Sequence, residues 1–451
     1  MELDQLPGSL TDAAAAVRRR ELSARELVEW QLRRIEGIDP ALSCFVELSP
    51  ERALERADAL DGSAGPIGPL HGVPITVKDN IDVAGFASTA GSPMLGTAPA
   101  LRDAAAVGRL LDAGAIVIGK TSMYELAFGA QNERWPAPGN PWRLERSTAG
   151  SSTGSAAAVA ARLCFASLAS DTGGSIRVPA AFCGVVGLRP SPGRIPRGGL
   201  VPLSRLDELG PITKTAEDAA VVFGVLAGAP EALPPHPDGT RLAVYDLSEV
   251  GPEVAGAIEQ LAALLHAHGA RPVSPPELDL AGAAATLWTI AAADAASHWL
   301  DRVRAAEHLV HPVVRDRVVA GSEIGARELE SACASHERLT EDARRMFGRL
   351  DVLILPAATC VSYPLGARVI ETPRGNEQVS AAVTRYTPFA TAAGLPALVV
   401  PCGFDSEGMP IGAQLIAAPG NEELLLALAR TYQAVSAWHQ RVPRGSAELE
   451  R

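Results

Sequence analysis

Two serine-rich stretches and one scarce lysine are the residues of this chain best suited to breaking a covalent bond. The first stretch is Ser147-Thr-Ala-Gly-Ser-Ser-Thr-Gly-Ser-Ala156, and the second is Ser170-Asp-Thr-Gly-Gly-Ser-Ile-Arg-Val-Pro-Ala-Ala-Phe-Cys-Gly184. Small residues let backbone approach a ligand closely, and glycine reaches dihedrals other residues avoid. The segment between the stretches is too apolar for a surface connection, so both loops are expected to build one site. The chemistry expected there is a serine nucleophile above backbone N–H donors.

A serine hydroxyl needs a base to take its proton. The nine histidines (His71, His236, His266, His268, His298, His308, His311, His336 and His439) all lie outside the two loops. A Ser-His-Asp triad could still assemble in space, but no local pattern supports it. Lysine is the alternative, provided burial lowers its pKa from ~10.4 towards neutrality. Of the forty basic residues only Lys78, Lys120 and Lys214 are lysines. A chain that keeps so few has reason to keep one where permanently charged arginine cannot serve. Lys78 ends the apolar run Gly72-Val-Pro-Ile-Thr-Val-Lys78-Asp-Asn80, and strand ends are where α/β sheets form ligand crevices. Lys120 follows a similar run, so position alone does not choose between them. A salt bridge to the adjacent Asp79 is the structural reading of Lys78.

The elements that would position these groups alternate between helical and strand periods. Residues 1–60 read as helices. Ser23-Ala-Arg-Glu26 is a capping box, and Ser49-Pro50-Glu51 starts a helix running to Leu60. A Gly/Pro linker over 61–70 precedes the strand ending at Lys78. The pattern continues with a helix over 103–113, a strand over 115–119, a long loop over 129–150, a helix over 155–162, a strand over 165–169 and a helix from Val178. Residues 230–350 read as a mostly helical cover, and strands return over 351–355, 397–400 and 411–416, with a closing helix from Asn421. Alternation of this kind predicts parallel strands with helical crossovers. The expected fold class is α/β: a large, mixed but mainly parallel sheet with helices on both faces. One domain is expected, with a core over 65–220 and returning strands over 350–435.

Composition narrows the class further. The chain has 451 residues, 47% hydrophobic, with mean hydropathy +0.11 and net charge -12. No basic patch favours nucleic acid. Six scattered cysteines without a C-x-x-C pair suit a reducing compartment. Met1-Glu-Leu-Asp-Gln5 lacks the basic start of a signal peptide, and no charge-free apolar run is long enough to span a bilayer. A cytoplasmic protein is expected, with no membrane or nucleic-acid partner, acting as a monomer or homodimer.

The ordered blocks at 72–80, 149–156 and 171–184, with Gly187-Leu-Arg-Pro190, Gly210-Pro-Ile212, Gly394-Leu-Pro-Ala397 and Gly408-Met-Pro-Ile-Gly-Ala-Gln-Leu-Ile416, resemble the amidase signature family. The 24-residue offset between Ser151 and Ser175 agrees with that family's pattern. The resemblance implies Ser175 as nucleophile, Ser151 after a cis peptide bond as proton relay, and Lys78 as a base that rests uncharged. It implies an oxyanion hole from the N–H groups of Thr172, Gly173, Gly174 and Ser175, with Ser152, Asp171 and Arg177 holding the loops. It implies no metal and no cofactor. Phe128, Gly129, Gln131 and Asn132 are the expected substrate wall, in a loop that also carries Trp135 and Pro138.

Departures from the family's pattern refine the expected function. Ala149 and Thr153 replace two customary glycines. Val178 stands where the A subunits of glutamine-dependent tRNA amidotransferases typically carry glutamine. Ser191-Pro-Gly-Arg194 replaces their Thr-Tyr-Gly-Arg, and Arg189 replaces a lysine. The expected function is therefore hydrolysis of amide C–N bonds in small molecules, with anilides and carbamates (urethanes) included. The alternatives are the A subunit of a glutamine-dependent tRNA amidotransferase and a hydrolase of allophanate or biuret.

Overall fold

The computed structural model describes residues 7–228 and 238–443. The Met1–Gln5 start, His236 and the beginning of the cover segment lie outside the described residues. Fifteen strands form among the described residues: β1 Phe45–Leu48, β2 Pro74–Lys78, β3 Ile116–Thr121, β4 Gly139–Asn140, β5 Arg143–Ser147, β6 Ala166–Asp171, β7 Val186–Arg189, β8 Glu208–Thr213, β9 Arg241–Val244, β10 Arg271–Pro272, β11 Val352–Pro356, β12 Val369–Thr372, β13 Gly375–Gln378, β14 Ala397–Phe404 and β15 Pro410–Ala417. Eleven make one sheet in the order β1-β3-β2-β6-β8-β7-β14-β15-β11-β9-β10. β4–β5 and β12–β13 are separate hairpins.

The large mixed sheet is as expected, but its balance is not. Among the described residues, parallel pairing is confined to β2–β3, β2–β6, β9–β11 and β9–β10. The remaining pairs, β1–β3 at one edge and the run from β6 to β11 through the middle of the sheet, are antiparallel. β14 and β15 are joined by the tight turn in which Asp405 Oδ1 accepts from Glu407 N at 2.9 Å and Met409 N at 2.7 Å. An apolar run reads the same in either direction, so composition shows that a strand is buried and not which way it points. β2, β3, β6, β8, β11 and β15 are buried along their whole length.

The segment expected as helical cover also supplies β9 and β10 to the sheet edge. Its helices are Pro252–Ala267, Leu280–Ala305, Pro312–Gly321 and Ala326–Met346. A second apolar cluster joins two of them to the loop before β4. In it Met123, Leu126 and Phe128 pack with Trp299, Val303, Val314 and Val318.

The N-terminal helices form, but β1 interrupts the segment read as wholly helical and pairs with β3 at the sheet edge. Ser23 and Glu26 exchange both capping-box bonds at the start of Ala24–Leu42. Helix Pro50–Asp61 carries its proline in the first turn. Asn421 precedes helix Glu422–Ala434 but makes no side-chain cap bond. Among the described residues, no helix is long and apolar enough to cross a membrane.

Candidate active site

β2 carries Lys78 to the end of the sheet as its last residue, with no side-chain exposure. Its Nζ lies 2.7 Å from Ser151 Oγ, 2.9 Å from Ser170 Oγ and 3.2 Å from the Ser170 carbonyl. Asn80 Nδ2 donates to the same Ser170 hydroxyl at 3.0 Å. The salt bridge of the structural reading exists, but with the other lysine. Asp79 turns away from Lys78 to within 3.6 Å of Lys120 Nζ, while Lys120 also donates to Ala87 O at 3.0 Å. A peptide places neighbouring side chains of a strand on opposite faces, which separates Lys78 from Asp79.

Burial without an adjacent carboxylate lowers the Lys78 pKa to about 7, against the opposing pull of the Asp171 and Asp207 charges. The amine is therefore substantially neutral near pH 7. It can accept a proton from a hydroxyl at hydrogen-bond distance.

The two loops meet around this amine. The Gly150–Ser151 peptide bond is cis. Ser152 N donates to Ser175 O at 3.2 Å, tying the first loop to the second. Helix Thr153–Ala160, made almost wholly of small buried residues, runs inward from this junction. Ser151 and Ser152 are buried, whereas Ser175 is partly exposed. The Ser175 side chain makes no hydrogen bond among the described residues, so Ser151 and Ser175 are brought into one site without a direct bond between them.

Asp171, the last residue of β6, organises the turn that follows. It accepts from Gly174 N at 3.0 Å and Ile176 N at 2.9 Å, and holds Arg177 through both guanidinium Nη2 (2.8 Å) and Nε (3.1 Å). Burial would push its carboxyl up, but the charge and hydrogen bonds of Arg177, with Arg189, hold it well below the usual carboxylate range. The fully buried Arg177 reaches on to Thr387 O at 2.7 Å and Gln414 Oε1 at 2.6 Å. Both residues therefore act as scaffold.

This scaffold corrects one expectation for the oxyanion hole. The Gly174 N–H is spent on Asp171, because a buried carboxylate one turn back competes for it. The N–H groups of Gly173 and Ser175 have no protein partner among the described residues. Thr172 fixes the turn from its side chain, donating to Asp207 Oδ1 at 2.5 Å. Gly174 sits at φ +121°, and a Cβ there would lie 2.5 Å from Thr387 Oγ1, whose hydroxyl donates to Gly173 O. Gly174→Ala is expected to lose ~2–4 kcal/mol of stability from strain and overlap together, read by urea unfolding.

The expected substrate wall is built differently from its reading. Phe128 is buried in the second apolar cluster, its carbonyl accepting from Arg317 Nη1 at 3.0 Å. Asn132 is also buried, its amide donating to Leu309 O at 2.9 Å and its Oδ1 accepting from Arg134 N at 3.0 Å. These two act as clips between the loop and the helical cover. Gly129 is exposed, and Gln131 is half-buried with its Nε2 donating to Ser122 Oγ at 3.2 Å. Sequence reasoning missed Ser170, Asn80, Asp207 and Thr387. It also missed Trp288, whose indole stands over Gly173, within 2.6 Å of where a Cβ would sit. Ser170 and Gln414 carried a signal, since each is a polar residue inside a wholly buried strand.

The profile of the amidase family matches residues 26–426. The chain belongs to the amidase signature family. Over 98% of its length it is 34% identical to the A subunit of the glutamyl-tRNA(Gln) amidotransferase of Methylococcus capsulatus, of which it covers 99%. A solved amidase superposes with a TM-score of 0.88 at 32% identity, over 95% of this chain and 99% of the other. The solved A subunit of the Thermotoga maritima glutamyl-tRNA(Gln) amidotransferase superposes with a TM-score of 0.79 at 26% identity, over 97% of this chain and 96% of the other. The family member described here is thus a C–N hydrolase with the mixed eleven-stranded fold of these enzymes.

Proposed function

We propose that this amidase hydrolyses the amide bond of a small molecule through Ser175, Ser151 and Lys78. The observation that carries the reading is the 2.7 Å contact between a fully buried Lys78 amine, with its pKa lowered to about 7, and the Ser151 hydroxyl. Ser175 Oγ attacks the carbonyl while its proton passes to Ser151, and the Ser151 proton passes to Lys78. The oxyanion forms against the Gly173 and Ser175 N–H groups. Donors of this kind are worth ~3 kcal/mol each in a dry site. The relay then reverses, so Lys78 returns its proton through Ser151 to the departing nitrogen. An acyl ester on Ser175 remains, and water cleaves it to the carboxylic acid by the same path. Anilides and carbamates present the same carbonyl to the same groups.

A second reading has support of its own. The curated relatives at 34–36% identity are amidotransferase A subunits, and they are matched over nearly their whole length. In that reading the same serine chemistry releases ammonia for a partner. Val178 in place of glutamine favours hydrolysis without a partner. The purified chain alone is expected to hydrolyse a p-nitroanilide and to be labelled on Ser175 by a fluorophosphonate. Turnover of glutamine only, and only with added partner subunits, would decide for the second reading. Labelling at another residue with loss of activity would overturn the nucleophile in both.

A further inference from the structure

Trp288 lies on helix Leu280–Ala305 and is half-buried. Two other tryptophans anchor their indole N–H: Trp142 Nε1 donates to Cys183 O and Trp299 Nε1 to Pro202 O, each at 2.9 Å. The Trp288 indole makes no hydrogen bond among the described residues. A tryptophan kept for packing alone usually ties that group down. What Trp288 covers is Gly173. Cη2 and Cζ2 of its ring stand 2.6 and 2.8 Å from where a Gly173 Cβ would sit, with Leu287 Cδ2 at 3.5 Å.

Gly173 is held against that ring. Thr387 Oγ1 donates to Gly173 O and Thr391 Oγ1 to Thr172 O, each at 2.6 Å, and both threonines are buried. Arg177 fixes Thr387 in turn through its carbonyl, at 2.7 Å. The edge of the indole therefore stands at a set distance beside one of the two free N–H donors of the turn. Ser175, two residues further on, is partly exposed, as Trp288 is. The helix around Trp288 is uncharged. From Leu280 to Ala293 its polar side chains are Thr286 and Thr289 alone, and the first charge, Asp294, is paired with Arg205 at 2.6 Å.

We infer that Trp288 selects the acyl group of the substrate, favouring one that is apolar and flat, as in an aroyl amide; this rests on the hydrolysis proposed above. The carbonyl oxygen lies at the Gly173 and Ser175 N–H groups. The departing nitrogen stays beside Ser151, which returns its proton. Ser151 reaches the nucleophile from the first loop and Trp288 from the helical cover, so the remaining substituent of the carbonyl, the acyl group, passes the indole. An aromatic ring there gains apolar burial and a ring–ring contact. A charged acyl chain would lose its water against Trp288 and Leu287, with no counter-charge on this stretch of helix.

The test compares N-benzoyl and N-acetyl p-nitroanilide. Wild-type kcat/KM is expected to favour benzoyl by about tenfold or more, the scale on which an apolar pocket discriminates. Trp288→Ala is expected to cut that preference to ~3-fold or less, and Trp288→Phe to keep most of it. A Trp288 that served packing alone would lower both rates together and leave the preference in place, which overturns the inference. A wild type that prefers the acetyl or γ-glutamyl p-nitroanilide overturns it too. Binding is read apart from turnover, in Ser175→Ala protein labelled with ¹⁵N at its tryptophan indoles. Benzanilide is expected to shift the Trp288 signal saturably, that signal being assigned by its loss in Trp288→Phe. A saturable shift without wild-type turnover keeps the acyl site and removes the proposed reaction. Turnover with an unmoved Trp288 signal keeps the reaction and overturns the acyl site. Absence of both removes both.

Discussion

Lys78→Met is expected to abolish turnover while leaving a protein that melts no lower, and at neutral pH melts higher, than wild type. The loss in kcat/KM should be ~10⁴-fold or more, because a general base that acts as one unit with its nucleophile is not replaced by its neighbours. The gain in stability has a separate cause. Folding takes the Lys78 amine from an unfolded pKa of ~10.4 to about 7, so at pH 7 the unfolded chain binds a proton that the native protein holds only about half of the time. The penalty at pH 7 is ~4 kcal/mol, reduced in the variant by the bonds lost to Ser151 and Ser170.

The sign follows from the protons bound. Between pH ~7 and ~10 the unfolded state holds more protons at this position, so wild-type stability relative to Lys78→Met rises with pH across that window. Activity reports the same group. Wild-type kcat/KM is expected to fall about tenfold per unit below pH ~7 and to level above it, because only the neutral amine accepts a proton. Urea unfolding of both proteins at several pH values, with a pH–rate profile on an anilide, checks both statements. A variant that retained wild-type turnover at neutral pH would remove Lys78 as the base.

Asp171→Ala is expected to cause the largest loss of stability, ~3–5 kcal/mol or more, together with loss of activity. The substitution strips the carboxylate from between two fully buried guanidiniums, Arg177 and Arg189. It also leaves the Gly174 and Ile176 N–H groups without acceptors. Removing one partner of a buried pair leaves an uncompensated charge, which costs far more than the pair contributes. Because its folded pKa lies below its unfolded ~3.9, Asp171 stabilises the fold fully above pH ~4 and loses that contribution only on further acidification. The wild-type advantage over Asp171→Ala should therefore be flat from pH 5 to 8 and shrink below pH ~4. An advantage already shrinking between pH 5 and 8 would mean that Asp171 is not held ionised by its arginines.

The amino-acid sequence by itself determined the components of the site. Burial of Lys78 follows from the apolar run before it, and the approach of the two loops follows from their small residues and the apolar link between them. The cap at Ser23 and the strands over 74–78, 116–121 and 352–356 follow from local pattern, because apolar periodicity and capping act over a few residues.

What only the tertiary structure decided involves partners distant in the chain. It pairs Asp79 with Lys120 and so leaves Lys78 uncompensated. It brings Thr387, Thr391 and Gln414 more than 200 residues along the chain to Arg177. It hides Pro211 inside β8, a central strand that a proline argues against on sequence grounds, and it orients the middle of the sheet antiparallel. These choices depend on which surfaces meet after the chain has folded back on itself. A buried run encodes that it is buried, and the identity of its neighbour is fixed only by packing.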